Sequence, residues 1–162
     1  MATSNFTIIT ATARAPIIQP SIFLAGAISG SWHKDLTNRL SHLPVTILNP
    51  LRTDWEAIGE EDIANPEFRK QTEWEMDMQA AADLVVIYFA PEKQAPVSLL
   101  ELGVCAASRK GTAKEVVICC PKGYWKRGNV QMVCEQFRIK VTEDLEEFFQ
   151  VVEERMRLLC EK

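Results

Sequence analysis

The strongest constraint on this chain is the segment Asp83-Leu-Val-Val-Ile-Tyr-Phe-Ala90, an apolar run of strand length without polar alternation. A strand that is apolar at every position buries both of its faces, which happens in parallel sheets covered by helices on each side. Ser21-Ile-Phe-Leu-Ala-Gly-Ala27 and Glu115-Val-Val-Ile-Cys-Cys120 have the same character, and Val45-Thr-Ile-Leu48 is a shorter strand stopped by Asn49-Pro50. Helical spacing fills the intervals. Leu36, Leu40 and Leu43 mark a helix over 33–43, and Phe68, Trp74 and Met78 are the inward residues of one over 66–82. Further helices are predicted over 98–109, 129–137 and 143–160, with a short last strand over 139–141. Strands alternating with helices imply right-handed crossovers and one α/β domain. The expected fold is a flavodoxin-like or Rossmann-like doubly wound parallel sheet of about five strands over residues 21–162, preceded by a tail or edge strand within 1–20.

Composition removes several function classes. A chain of 162 residues with a net charge of −4 has no basic stripe for a nucleic-acid polymer or an anionic membrane surface. No apolar run reaches membrane-spanning length. Cys105, Cys119, Cys120, Cys134 and Cys160 have neither zinc nor redox spacing, so reduced thiols in a cytoplasmic protein are expected. No metal constellation and no cofactor fingerprint is present, and none is expected.

In this architecture ligands bind at the carboxyl edge of the strands, so the loops found there are read together. The first holds Gly26, Ser29 and Gly30 among small residues, which suits either an anion-cradling loop or a plain tight turn. Trp32, Trp55 and Trp125 all fall in loops that follow strands, where they can wall a pocket for a flat heterocycle or pack helix ends; only Trp74 lies inside a helix. Arg52 and Asp54 are candidates for reading a base edge, or else solvated loop charges. Glu75 sits eight residues before Asp83 on the following helix. Glu101 has two readings. Ser98-x-x-Glu101 is a capping box, and a carboxylate near a helix start is also a competent nucleophile because the helix field favours its ionised form.

Taken in order, Ile22-Phe-Leu-Ala-Gly26, Asn49-Pro50 with Arg52 and Trp55, Trp74-Glu75, Ala82-Asp-Leu-Val-Val86 and Leu100-Glu-Leu-Gly103 resemble the nucleoside 2-deoxyribosyltransferase family, closest to its divergent deoxyribosyltransferase-like branch. The resemblance implies a flavodoxin-like fold and base exchange on a nucleoside by double displacement. Glu101 stands at the position of the nucleophile and Glu75 at that of an acidic residue assisting the leaving base. Asn129 matches an asparagine that reaches a neighbouring subunit, so a homo-oligomer is implied. Phe23 stands where the best-known members have a tyrosine that hydrogen-bonds the nucleophile, and Ala95 where they have an aspartate. The expected partner is a nucleoside, a nucleotide or a free base. The alternatives are an N-glycosidase acting on nucleosides or their 5′-monophosphates, with Ser29-Gly-Ser31 loosely resembling a phosphate loop, and a non-catalytic nucleotide-binding module.

Overall fold

The computed structural model describes residues 5–162. The sheet is parallel throughout. It is built from β1 (Thr7–Thr10), β2 (Ser21–Gly26), β3 (Thr46–Asn49), β4 (Leu84–Tyr88), β5 (Glu115–Cys119) and β6 (Lys140–Thr142) in the order β1-β3-β2-β4-β5-β6. Without β1 this is the flavodoxin-like order; the sixth strand is an addition at the edge, where Thr7–Thr10 pairs with Thr46–Asn49. The chain reverses direction across the sheet between β2 and β4, which pair from Ile22–Leu84 to Gly26–Tyr88. That pair marks the switch point at which such sheets open a crevice. A Cβ on Gly26 would lie 2.3 Å from the Tyr88 carbonyl oxygen, so only glycine fits there, at φ +115°.

Helices α1 (Trp32–Leu40) and α5 (Leu145–Cys160) cover one face; α2 (Pro66–Ala81), α3 (Pro96–Ser108) and α4 (Arg127–Phe137) cover the other. Each strand side chain pattern feeds both layers: Ile22, Leu24, Leu84 and Val86 pack under α1 and α5, whereas Phe23, Ala25, Val85 and Ile87 pack under α2 and α3. Helix α2 begins where the sequence changes from loop to helix chemistry. Asn65 caps it, accepting from the Glu67 N–H at 3.1 Å, and Pro66 occupies the first position, where no amide hydrogen is needed. Among the described residues no helix is long and apolar enough to cross a membrane.

Two local expectations are corrected. Helix α3 starts at Pro96, two residues before Ser98, with Ala95 as its N-cap at φ +44° and no side-chain cap. Ser98 therefore lies inside the first turn and Glu101 in the second, so the two do not form a capping box. Trp32 is not in a loop: it opens α1 and is 2% exposed.

Candidate active site between α2 and α3

Helix α3 packs directly on α4, and a groove of about 1040 Å³ lies between α2 and α3; it runs to the amino edge of the sheet, where Pro20, Asp83 and Lys114 precede β2, β4 and β5, and not to the carboxyl edge expected from the sequence. The spacing along α2 decides what lines it. Gln71, Glu75 and Gln79 recur every four residues and thus share one side of the helix, and Glu75 and Gln79 line the groove. Gln71 and Gln79 are buried, and Glu75 is half-buried. From α3, Glu101 and Cys105 enter the same groove, beside the exposed apolar side chains of Val97, Leu100 and Val104.

Each carboxylate is held by a glutamine. Gln71 Nε2 donates to Glu75 Oε1 at 2.8 Å and to the Pro50 carbonyl at 3.3 Å. Gln79 Nε2 donates to Glu101 Oε1 at 2.7 Å. Arg52 reaches this network indirectly, donating from Nη1 to Gln71 Oε1 at 3.3 Å while its Nε and Nη2 form a two-pronged pair with Asp54, both at 2.8 Å. That pair holds Asp54 below the usual carboxylate range. Arg52 and Asp54 thus satisfy each other, and Arg52 orients the glutamine that orients Glu75.

Burial and the nearby negative charge of Glu75 push the Glu101 carboxyl up to about 7, against the opposing donation from Gln79. Burial raises Glu75 as well, opposed by Gln71. Both carboxyls face one groove, and burial there raises each of them. Two carboxyls in one groove are the groups used in chemistry in which one carboxylate attacks while the other donates a proton. The Cys105 thiol is pushed up to about 11 by burial and stays protonated, so it is not a nucleophile. Among the described residues no group of three His, Cys, Asp or Glu side chains is arranged to hold a metal ion.

The other anticipated residues are dispersed. Phe23 is fully buried behind α2, its ring 6.2 Å from that of Trp74, and does not reach the groove wall. Trp32 lies on the opposite face of the sheet against Tyr88 and Phe148, donating from Nε1 to the Ala27 carbonyl at 2.6 Å. Trp55 is half-buried in a short 3₁₀ turn over Trp55–Ile58, and Trp125 is exposed, its Nε1 donating to the Gln94 carbonyl at 2.9 Å. The three rings do not form one wall. Gly26, Ser29 and Gly30 stand at the switch point, where Ser29 Oγ lies 3.4 Å from a Glu92 carboxylate oxygen. Asn129 is in the first turn of α4, lining a smaller groove of about 340 Å³ with Leu99, Leu102 and Gly103. Those α3 residues are on the side of the helix opposite Glu101, so one protomer does not bring Asn129 to the carboxylate pair.

Gln71 and Gln79 were missed in the sequence. Their signal was present: two uncharged amides placed four residues either side of a glutamate on one helix.

Comparison with known proteins now bears on this geometry. No curated protein matches the chain significantly. A family model described as nucleoside 2-deoxyribosyltransferase like matches residues 19–124, well over half of the chain. The matched span runs from just before β2 to the loop beyond β5, includes Glu75 and Glu101, and ends before Asn129. The protein belongs to the nucleoside 2-deoxyribosyltransferase-like family.

Proposed function

We propose that this protein breaks the N-glycosidic bond of a (deoxy)nucleoside by double displacement and transfers the sugar to a second base. The observation that carries this reading is the Glu75–Glu101 pair, two half-buried carboxyls in one groove, each held by its own amide donor. In the reactive microstate Glu75 is protonated and Glu101 is ionised. Glu101 attacks C1′ as the bond from C1′ to the base nitrogen breaks, and the Glu75 proton passes to the leaving base. Glu101 is then esterified to the sugar and Glu75 is ionised. An incoming base gives its proton to Glu75 and attacks C1′, which releases Glu101. Asn129 completes the site from a neighbouring subunit in a homo-oligomer.

Hydrolysis is the second reading, favoured by one observation. Among the described residues no aromatic side chain lines the groove, so none of them excludes water from the glycosyl-enzyme.

The test incubates the protein with deoxynucleosides, with and without a free acceptor base, and separates the products. A new nucleoside identifies transfer; free base formed regardless of acceptor identifies hydrolysis. Tight nucleoside binding without turnover identifies a binding module instead. Glu101→Ala abolishes either activity while the variant stays folded, and turnover retained in Glu101→Ala removes Glu101 from the mechanism.

A further inference from the structure

Gln79 is a glutamine with 7% of its surface exposed, at a place where α2 would otherwise present an apolar side chain to α3. A buried amide costs free energy unless both of its ends are paired. Here both are. Nε2 donates to Glu101 Oε1 at 2.7 Å, and Oε1 accepts from the Cys105 Sγ–H at 3.5 Å. The thiol and the carboxylate together set which way the amide faces. Burial pushes Cys105 up to about 11, so at any working pH it is a donor and holds the carbonyl end toward itself. That leaves the NH₂ end for Glu101; the reverse orientation would set the amide oxygen against the carboxylate.

The backbone is pinned too. Lys114 Nζ donates to the carbonyl oxygens of Gln79 and Ala80, holding the last turn of α2. Among the described residues no hydroxyl from the sheet bonds the carboxylate; Phe23 is buried hydrocarbon and stays off the groove wall.

We propose that Gln79, locked by Cys105, is the positioning residue of Glu101: its amide aims the carboxylate into the groove and favours the ionised form. The proposal rests on Glu101 being the nucleophile of the reading above. The titratable groups lining the groove with Glu101 are Glu75 on α2, Cys105 on α3, Asp83 before β4, Lys114 before β5, and Cys160 and Lys162 at the end of the chain. Of these, Glu75 opposes ionisation of Glu101, and Gln79 is the donor that counters it. A hydrogen bond to a charged acceptor in such a setting is worth roughly 10- to 100-fold in an equilibrium or a rate.

Gln79→Met tests this by keeping side-chain length and helix propensity while removing both amide functions. The titration of Glu101 is followed by ¹³C NMR on glutamate-labelled protein, with Glu101→Gln supplying the assignment. The pH dependence of kcat is measured in parallel, and thermal unfolding verifies the fold. Without its donor the ionised form is less favoured, so the Glu101 titration moves up by about one pH unit or more. The acid limb of the kcat profile moves with it, kcat falls roughly 10- to 100-fold, and KM stays within about twofold. Cys105→Ser retains a donor and leaves the titration in place, whereas Cys105→Ala leaves the amide oxygen unpaired, loosens the amide and moves the titration in the same direction as Gln79→Met by a smaller amount.

A folded Gln79→Met with unchanged Glu101 titration and unchanged kcat overturns the proposal, as does an unchanged titration in Cys105→Ala if Gln79→Met does not fold. The NMR arm needs no turnover. A wild-type protein inactive on nucleosides whose Glu101 titration still responds to Gln79→Met keeps the positioning role while the glycosyl-transfer reading fails.

Discussion

The two faces of the sheet are covered by the same means and end with opposite characters. Under α1 and α5 the layer is sealed: Trp32, Leu36, Leu40, Phe148 and Val152 are fully or almost fully buried, and Arg39 clamps the helices from outside, reaching Glu153 at 2.7 Å and Glu146 at 2.9 Å. His33 shows how dry that side is, since burial pushes its imidazole down to about 4 and keeps it neutral. Under α2 and α3 the strands pack just as tightly, yet above that core lie two buried glutamines and two carboxyls raised by burial. Met76, Leu100 and Val104 stay exposed at the rim. One face spends its helix surface on packing. The other holds two helices apart with polar groups that lose hydration, a cost that stability alone would not retain.

Four changes separate the faces further, from the largest expected effect to the smallest. Glu75→Gln removes the proton donor of the proposed mechanism, and kcat is expected to fall by about 10²- to 10⁴-fold with little change in the urea midpoint. Equal turnover in this variant and the native chain would strike Glu75 from the mechanism. Trp32→Ala does the reverse on the sealed face: stability falls by about 3–5 kcal/mol in urea titrations, while activity per folded molecule is unaltered.

The third change concerns pH. The folded-state pKa of Glu101 lies above its ordinary value of 4.5, at about 7, so the associated stability is complete below the unfolded value and is lost as pH rises through about 7. Glu101→Gln removes this dependence and is the more stable protein above pH 7, by up to about 3 kcal/mol. Denaturation curves at stepped pH measure it, and parallel profiles for the two chains would mean that Glu101 is not a desolvated acid. The smallest effect belongs to Ala95, a non-glycine residue at φ +44° immediately before Pro96. Ala95→Gly relieves the left-handed conformation and gains about 0.5–1 kcal/mol in equilibrium unfolding.

The sequence made the sealed face legible and only half of the open one. Val85–Ile87 and Val116–Ile118 announced buried parallel strands, and the expected helix over 66–82 differs from α2 by one residue. The start of α3 was misplaced because Ser98-x-x-Glu101 imitates a cap, whereas the turn at Ala95 and the ring of Pro96 begin the helix earlier. Trp32 was expected in a loop because an aromatic residue after Gly-Ser gives no local sign of which layer it joins. Glu75 and Glu101 were both singled out, and the fold brings them to one groove. Their glutamine partners were not, since an amide acquires a role only from the groups it meets.

By itself the sequence determined the alternation of buried strands and helices, and from it the doubly wound sheet, because apolar periodicity and turn chemistry act over a few residues. Only the tertiary structure decided which polar side chains meet: Gln79 with Glu101 across 22 positions, and Arg52 with Gln71 across 19. The physical reason is that desolvation and hydrogen-bond geometry depend on how far α2 stands from α3, a distance set by packing on the sheet and not by either helix alone.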